Sequence, residues 1–398
     1  MSLKNKKQSH DIMAMLRMAG VFLKLGAIGF GGGMAVIALM EHEFVKKRQE
    51  ISTKEFLHGV GLAQILGPFA PNTAFFLGYR RFGISGAVLS VVSFLIPSVT
   101  VVILLSFLYF RYHTIPALQG LLAGVGPVVI SLILAAAWSM GRKAVTGWPA
   151  AVFALAGAAA GAYKLNPVWV LLSAGGIGLL AGQDRMKPKI KRKDAIDAKP
   201  KSENSAPESR AMASAILPAA VSGAGISFAK LGLAFFKIGA IFFGGGFVLI
   251  PILHQRLVEN FHWLTSREFI DGVAISNLTP GPIAVLATFA GYHLDGVRGA
   301  ILATSCLFMP AMLLMTIISA GYEYFKKSSH AQDFLSAVSP TVVGLVASAA
   351  LLLWGSAIPS WRALALMIFA LFLINRFKWH PAFVLAIGAS FAAAGVIP

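Results

Sequence analysis

Charge is scarce in this sequence, and acidic charge is scarcest. Only 13% of the 398 residues are Asp, Glu, Lys or Arg, and Asp and Glu together number 16. A soluble domain carries about 25% charged residues, so this chain cannot cover a water-facing surface in the usual way. Cysteine is nearly absent. Cys306 stands alone in an apolar segment, which excludes disulfides and cysteine-based metal sites. There is no Walker-A sequence and no HExxH, and the glycine runs do not fit GxGxxG. An ATP-driven pump would therefore need a partner subunit, and a membrane-embedded enzyme would lack a paired catalytic motif. No cofactor and no metal are expected. The period-two alternation of a β-barrel is missing as well.

Apolar length is abundant. Hydrophobic residues make up 57% of the chain, with a mean hydropathy of +0.74. A helix needs roughly 20 residues to cross a hydrocarbon core of ~30 Å, and inside lipid the backbone must satisfy its own hydrogen bonds. The sequence therefore predicts an all-α polytopic membrane protein. Apolar segments run over 16–40, 56–78, 85–110, 117–141, 149–163 and 167–182, then 231–253, 268–290, 298–321, 333–354, 361–375 and 381–397. The last two of each half are short enough to be tilted or re-entrant. The layout is a first membrane repeat over 1–182, a charged linker over 183–210 and a second repeat over 211–398. The linker holds nine Lys/Arg and five Asp/Glu and is expected to be disordered. The net charge of +18 comes mostly from the N-terminus, this linker and short loops. Such charge orients spans and does not indicate a nucleic-acid partner. Lys4, Lys6 and Lys7 precede the first apolar run like the start of a signal peptide, but no small-residue cleavage pattern follows, so this segment is expected to be retained.

The two halves repeat at an offset of 213. Lys24, Gly26 and Gly31-Gly32-Gly33 return as Lys237, Gly239 and Gly244-Gly245-Gly246; Glu55-Phe56 returns as Glu268-Phe269, Gly78-Tyr79 as Gly291-Tyr292, Pro97 as Pro310 and Trp148 as Trp361. A duplicated apolar unit with glycine and proline breaks inside its helices is the pattern of a secondary transporter. Counted loop by loop, basic residues favour the N-terminal side in the first half and the opposite side in the second, with the loop at 41–55 as the exception. The halves are thus expected to be inverted. This needs one further crossing, which the uncharged stretch 211–229 could supply, for a total of about 10 to 13 spans. The N-terminus and linker would be cytoplasmic.

Three signals carry chemistry. The glycine triplets weaken a helix by about 1 kcal/mol per residue, which predicts a break and a second helix whose N-terminus suits an anion. Close packing through small residues is the plain alternative. Lys24 and Lys237 lie near the middle of their segments, where a charge is costly and functional by default, though a lysine can also snorkel outward. The next segment of each half opens with a capping-box pattern, Ser52-Thr53-Lys54-Glu55 and Thr265-Ser266-Arg267-Glu268. Glu55 with His58, and Glu268 with Asp271, are three apart and could relay protons; for the two glutamates a simple cap is favoured. The same segments are broken again at Gly67-Pro68-Phe69 and at Thr279-Pro280-Gly281-Pro282. Expected substrate-binding residues are therefore Lys24, Gly31, Gly32, Gly33, Pro68, Lys237, Gly244, Gly245, Gly246, Pro280, Gly281 and Pro282. Expected proton-coupling residues are Glu55, His58, Glu268 and Asp271. Phe69 opposite Pro282, and His58 opposite Asp271, mark unequal halves.

These motifs together resemble the chromate ion transporter family in its long, two-domain form, over nearly all of the chain outside the N-terminus and linker. The resemblance implies a multi-pass protein of the inner membrane that exports chromate, driven by the proton gradient, and so confers chromate resistance. Sulfate, an isosteric dianion, is implied as a competitor. The partners expected are chromate, sulfate and the bilayer, with a homodimer as one expected assembly. Transport of sulfate or another oxyanion, and a gated anion channel, are the alternative readings.

Overall fold

The computed structural model describes residues 3–29, 33–65, 67–112, 122–180, 227–242, 246–320, 329–377 and 379–394. The linker and most of the stretch expected to supply the extra crossing lie outside them. In the first half the helices are α1 (Leu3–Ile28), α2 (Gly33–Met40), α3 (Thr53–Ile65), α4 (Phe69–Tyr112), α5 (Val125–Ala144), α6 (Trp148–Ala162) and α7 (Pro167–Leu180). In the second half they are α8 (Phe228–Ala240), α9 (Leu249–Leu253), α10 (Ser266–Leu278), α11 (Leu286–Ala320), α12 (Ser329–Ala357), α13 (Trp361–Phe372) and α14 (Pro381–Ala393). No strand occurs among the described residues.

The repeat extends to local irregularities. A π-helical turn at Glu41–Lys47 returns at His254–Asn260, and Gln49 and His262 both have φ +52°. The chain leaves helical geometry at Phe82 and Gly83, and again at Asp295 and Gly296.

Those last points are reversals, not bends. A side chain on Gly78 would strike the Gly86 carbonyl, and one on Gly291 the Gly299 carbonyl. Eight residues of straight helix would separate such a pair by about 12 Å. Thr288 Oγ1 and Thr304 Oγ1 lie 2.8 Å apart, where a straight helix would place them about 24 Å apart. So α4 is two antiparallel legs, 69–82 and 84–112, and α11 repeats this over 286–295 and 297–320.

The broken segments fold back in the same way, which corrects the reading of 16–40 and 56–78 as interrupted spans. Glu55 forms an ion pair with Arg80, and a Cβ on Gly59 would strike the Phe76 ring. In a helix merely broken at its centre, residues 55 and 80 would be about 38 Å apart. Thus α3 descends, turns at Gly67-Pro68, and the first leg of α4 returns. Gly272 against Phe289 repeats the contact in the second half. Phe22 on α1 stacks on Phe44 with ring centroids 5.0 Å apart, so α1 and the segment after its glycine break also form a hairpin. Each half therefore contributes two re-entrant hairpins whose breaks are their tips.

The halves are inverted. The second leg of α4 leaves the base of the first-half hairpins at Gly83 and runs for about 40 Å. At its far end, Tyr109 hydrogen-bonds Asp271 near the start of α10, and Phe110 lies against Tyr292 and His293, at the base of the second-half hairpins. The two sets of hairpins thus enter from opposite faces. The arrangement also removes the exception in the loop-charge count: the loop at 41–55 shares a face with Arg80-Arg81. Within that loop Lys46 pairs with Glu41, Lys47 with Glu43, and Arg48 with Glu43 and Glu50.

The short helices swap. α6 and α7 pack on α12 of the other half, while α13 and α14 pack on α5, and α5 packs on α12. Small residues let backbones touch. A Cβ on Gly344 would strike the Ala154 carbonyl, and at the equivalent place in the other half Ser131 Oγ donates to the Met367 carbonyl at 2.8 Å. Gly157 lies against the Thr341 carbonyl, and Gly124 against that of Gly388.

Candidate functional site

The four tips meet each other. The Gly281 N–H donates to the Gly29 carbonyl at 3.2 Å, and Ser98 Oγ donates to the Pro280 carbonyl. By the same pairing in reverse, a Cβ on Gly67 would lie 2.6 Å from the Phe242 carbonyl. The first break of each half thus abuts the second break of the other. A backbone polar group left unsatisfied in hydrocarbon costs several kcal/mol, so irregular backbone at this depth survives only inside protein or against a water-filled cavity. Tip-to-tip burial meets that demand.

Gly67 has φ +110° and Gly281 φ +112°, a conformation that side chains other than glycine rarely adopt. Their shared geometry and shared partners make them equivalents, at an offset of 214. A Cβ on Gly33 would strike the Phe69 ring, and one on Gly246 would strike Ile283 Cγ2, again a difference of 214 on the second partner. The constant offset of 213 is therefore corrected at this point. Pro68, not Phe69, is the counterpart of Pro282, and the expected mismatch there disappears. The second half has an extra residue before its glycine, and a 3-10 turn at Ile283–Val285 takes up the difference. Its rise of about 2.0 Å per residue, against 1.5 Å in an α-helix, covers the same length with one residue fewer.

Four helical N-termini start at the tips, at Gly33, Phe69, Gly246 and Ile283. Each directs partial positive charge toward the meeting point. Gly31, Gly32, Gly244 and Gly245 lie outside the described residues, while Gly33 and Gly246 begin the returning segments. The amide of Gly281 is committed to Gly29, so in this conformation it is a contact between halves rather than an open anion donor. Lys24 and Lys237 are exposed, five residues before Gly29 and Phe242, on the side of their helices away from the Gly26–Phe94 and Gly239–Leu307 backbone contacts. Neither is part of the tip contacts.

The expected proton-coupling residues divide. Glu268 closes a full capping box: its Oε2 accepts from the Thr265 N–H and hydroxyl, both at 2.8 Å, and Thr265 Oγ1 accepts from the Glu268 N–H at 3.2 Å. The start of α3 is capped by Ser52, whose Oγ accepts from the Glu55 N–H at 3.2 Å, and the Glu55 carboxylate goes to Arg80. The His58 side chain is outside what the structure describes. Asp271 is 1% exposed. Its Oδ2 accepts the Tyr109 hydroxyl at 2.9 Å and faces Arg267 Nε at 3.4 Å, while its Oδ1 is buried without a hydrogen-bond partner. Sequence reasoning missed Tyr109, Ser98 and Arg80. Arg80 reads in the sequence only as polar punctuation between segments, and a tyrosine and a serine in apolar helices give no signal at all.

The chain matches the chromate transporter family model twice, over residues 16–179 and 229–395, one match per repeat. The chain belongs to the chromate transporter family. It is 29% identical to the chromate transport protein of Cupriavidus metallidurans, over 90% of this chain and 87% of that one. It is 30% identical to the probable chromate transport protein of Synechococcus elongatus, over 86% of each. The uncharacterized transporter YwrB of Bacillus subtilis is 28% identical over 45% of this chain but 93% of its own length, so it is similar to a single repeat. No solved structure matches. Among the described residues, four helical stretches are long and apolar enough to cross a membrane: 125–144, 336–357, and 69–112 and 283–317, each of the last two reversing once at its glycine. This member of the chromate transporter family is a multi-pass membrane protein, and its family is one of transporters.

Proposed function

We propose that this protein is a secondary transporter that exports chromate across the cell membrane, coupled to the proton gradient, and that it thereby confers chromate resistance. The observation that carries the reading is the meeting of four re-entrant tips, each ending in a helical N-terminus, from opposite faces of an inverted repeat. Such a junction offers an oxyanion backbone N–H groups and partial positive charge while keeping irregular backbone out of lipid. Gly33, Gly246, Pro68, Pro280, Gly281 and Pro282 at the tips would bind the anion, together with Gly31, Gly32, Gly244 and Gly245 of the two glycine runs. Lys24 and Lys237, charged and five residues from the tips, would raise the local anion concentration. The swap of short helices means that alternating access would move the tip hairpins against a scaffold of α5 to α7 and α12 to α14, rather than one sequence half against the other.

The basic hairpin bases of the first half, with Lys46, Lys47, Arg48, Lys54, Arg80 and Arg81, would be cytoplasmic, with the N-terminus and linker on the same side of the inner membrane. The test is flux of radiolabelled chromate and sulfate in proteoliposomes, with and without an imposed pH gradient. Uptake of chromate that responds to the gradient supports the proposal; absence of chromate flux overturns it. Sulfate is the second reading, because it is a tetrahedral dianion of similar size. Sulfate flux that chromate does not inhibit would favour it.

A further inference from the structure

The buried Asp271 carboxylate on α10 meets Tyr109 from the other half, and this contact lies at the opposite end of the second α4 leg from the Gly83 reversal. Glu55 and Glu268 already have charge or capping partners, so a proton gained by either would break a satisfied local contact. Asp271 differs. One oxygen is held by Tyr109 and Arg267, and the other is buried without a partner. A carboxylate so placed gains by taking a proton, since that removes a buried charge only half compensated by its neighbours.

We propose that Asp271 is the proton-binding site of the transporter and that Tyr109 transmits its occupancy to the other half; this rests on the transport reading above. Oδ1 takes the proton and the carboxylate charge is lost. A hydrogen bond from Tyr109 to a charged carboxylate is roughly twice as strong as one to a neutral acid, so protonation loosens the contact between halves at that end of the α4 leg. The bistable element is the seam between the second leg of α4 and the base of the second-half hairpins. Phe110, Phe289 and Tyr292 line it with packed rings: Phe110 stacks on Tyr292 and lies tilted on Phe289, with centroids 5.0 Å apart in the latter pair.

The coupling ion is a proton and not sodium. A metal ion needs several oxygen ligands, and here it would sit beside the Arg267 guanidinium, which repels it. Arg267, whose side chain is 40% exposed, reaches Asp271 Oδ2 at 3.4 Å and so links the buried carboxylate to the surface. The charged and titratable groups acting on Asp271 are Arg267 and Glu268 on its own helix and Tyr109 from α4. Of the nearby histidines, His254 packs on Phe269 and His293 on Phe110.

The experiment compares wild type, Asp271→Asn and Tyr109→Phe in proteoliposomes. Two readouts are taken with radiolabelled chromate: exchange of internal for external chromate at equal pH, and accumulation driven by a pH gradient. Asp271→Asn should retain exchange and lose gradient-driven accumulation at least tenfold. Tyr109→Phe should lower accumulation and move its pH dependence by half a unit or more. Gradient-driven accumulation by Asp271→Asn, or loss of exchange and accumulation together in well-folded protein, overturns the proposal. If Asp271→Asn does not fold, Tyr109→Phe decides, and a pH profile identical to wild type overturns it. Absence of chromate exchange in wild type would instead sink the transport reading itself.

Discussion

The amide of Gly281 donates to the carbonyl of Gly29 across the two halves at 3.2 Å, and the same glycine has φ +112° with Ser98 Oγ in the place a side chain would occupy. Gly281→Ala should therefore be destabilising by about 1–3 kcal/mol from backbone strain alone. Flux should fall further, because the tip must shift away from Ser98 and so disturb the Gly29 contact. Gly83→Ala, at a reversal where nothing lies within 4 Å of an added Cβ, should show the strain with little loss of flux per folded molecule. Thermal unfolding in detergent, with flux normalised to folded protein, separates the two. Equal effects on flux would mean the tip contact has no special part in transport.

The hairpin geometry is open to a distance test. With Cys306→Ser as background, the pair Glu55→Cys and Arg80→Cys should be joined within one molecule by a short bifunctional thiol reagent. An uninterrupted or merely kinked helix would hold them about 38 Å apart, and no cross-link would form.

His254, which opens the π-helical turn at the base of the second-half hairpins, makes a pH prediction. It is 4% exposed and lies 3.8 Å from Glu259, which also pairs with Lys164 of the first half at 3.0 Å. Burial, the largest influence, holds its pKa below the ordinary 6.5; Glu259 acts in the opposite direction and Lys164 adds to the depression. The unfolded chain then binds more protons than the folded one below pH 6.5. Stability is fully present above that value and falls as pH drops through it. The Tm should decline from pH 7 to 5, and His254→Gln should flatten that decline. An unchanged slope in His254→Gln would show that other groups set the pH response.

A chain cut within 183–210 should survive as two co-expressed pieces and fail as either piece alone. Each half lays its short helices on the other, as with Ser131 on Met367 and Gly344 on Ala154. Co-purification of 1–182 with 211–398, together with loss of either when made singly, is the expected outcome. A stable, monomeric single piece would contradict the swap.

Much of this was readable in the sequence. The glycine and proline breaks mark the tips, the capping-box pattern marks the start of α10, and the shared motifs gave the duplication. The hairpins were not readable, because apolar periodicity is the same whether a second helix continues the first or returns beside it. Only a long-range contact such as Glu55–Arg80 distinguishes them. That error also produced the apparent exception in the loop charges at 41–55. The slip between Pro68 and Pro282 escaped for a related reason: letters aligned at 213 match Phe69 to Pro282, and only the φ of Gly67 and Gly281 reveals the true partners. The exchange of α6 and α7 for α13 and α14 left no trace, since small residues such as Gly157 permit close approach without specifying a neighbour.

That exchange bears on ancestry. Helices crossed over between equal units are what two separate chains make when they embrace, and a peptide link added later would change nothing in the contacts. A protein of one repeat, similar in length to YwrB, has nowhere within itself to lay those helices. The duplication has the form that tethering such a pair would give, and its copies are not identical: Asp271 in one stands where His58 stands in the other.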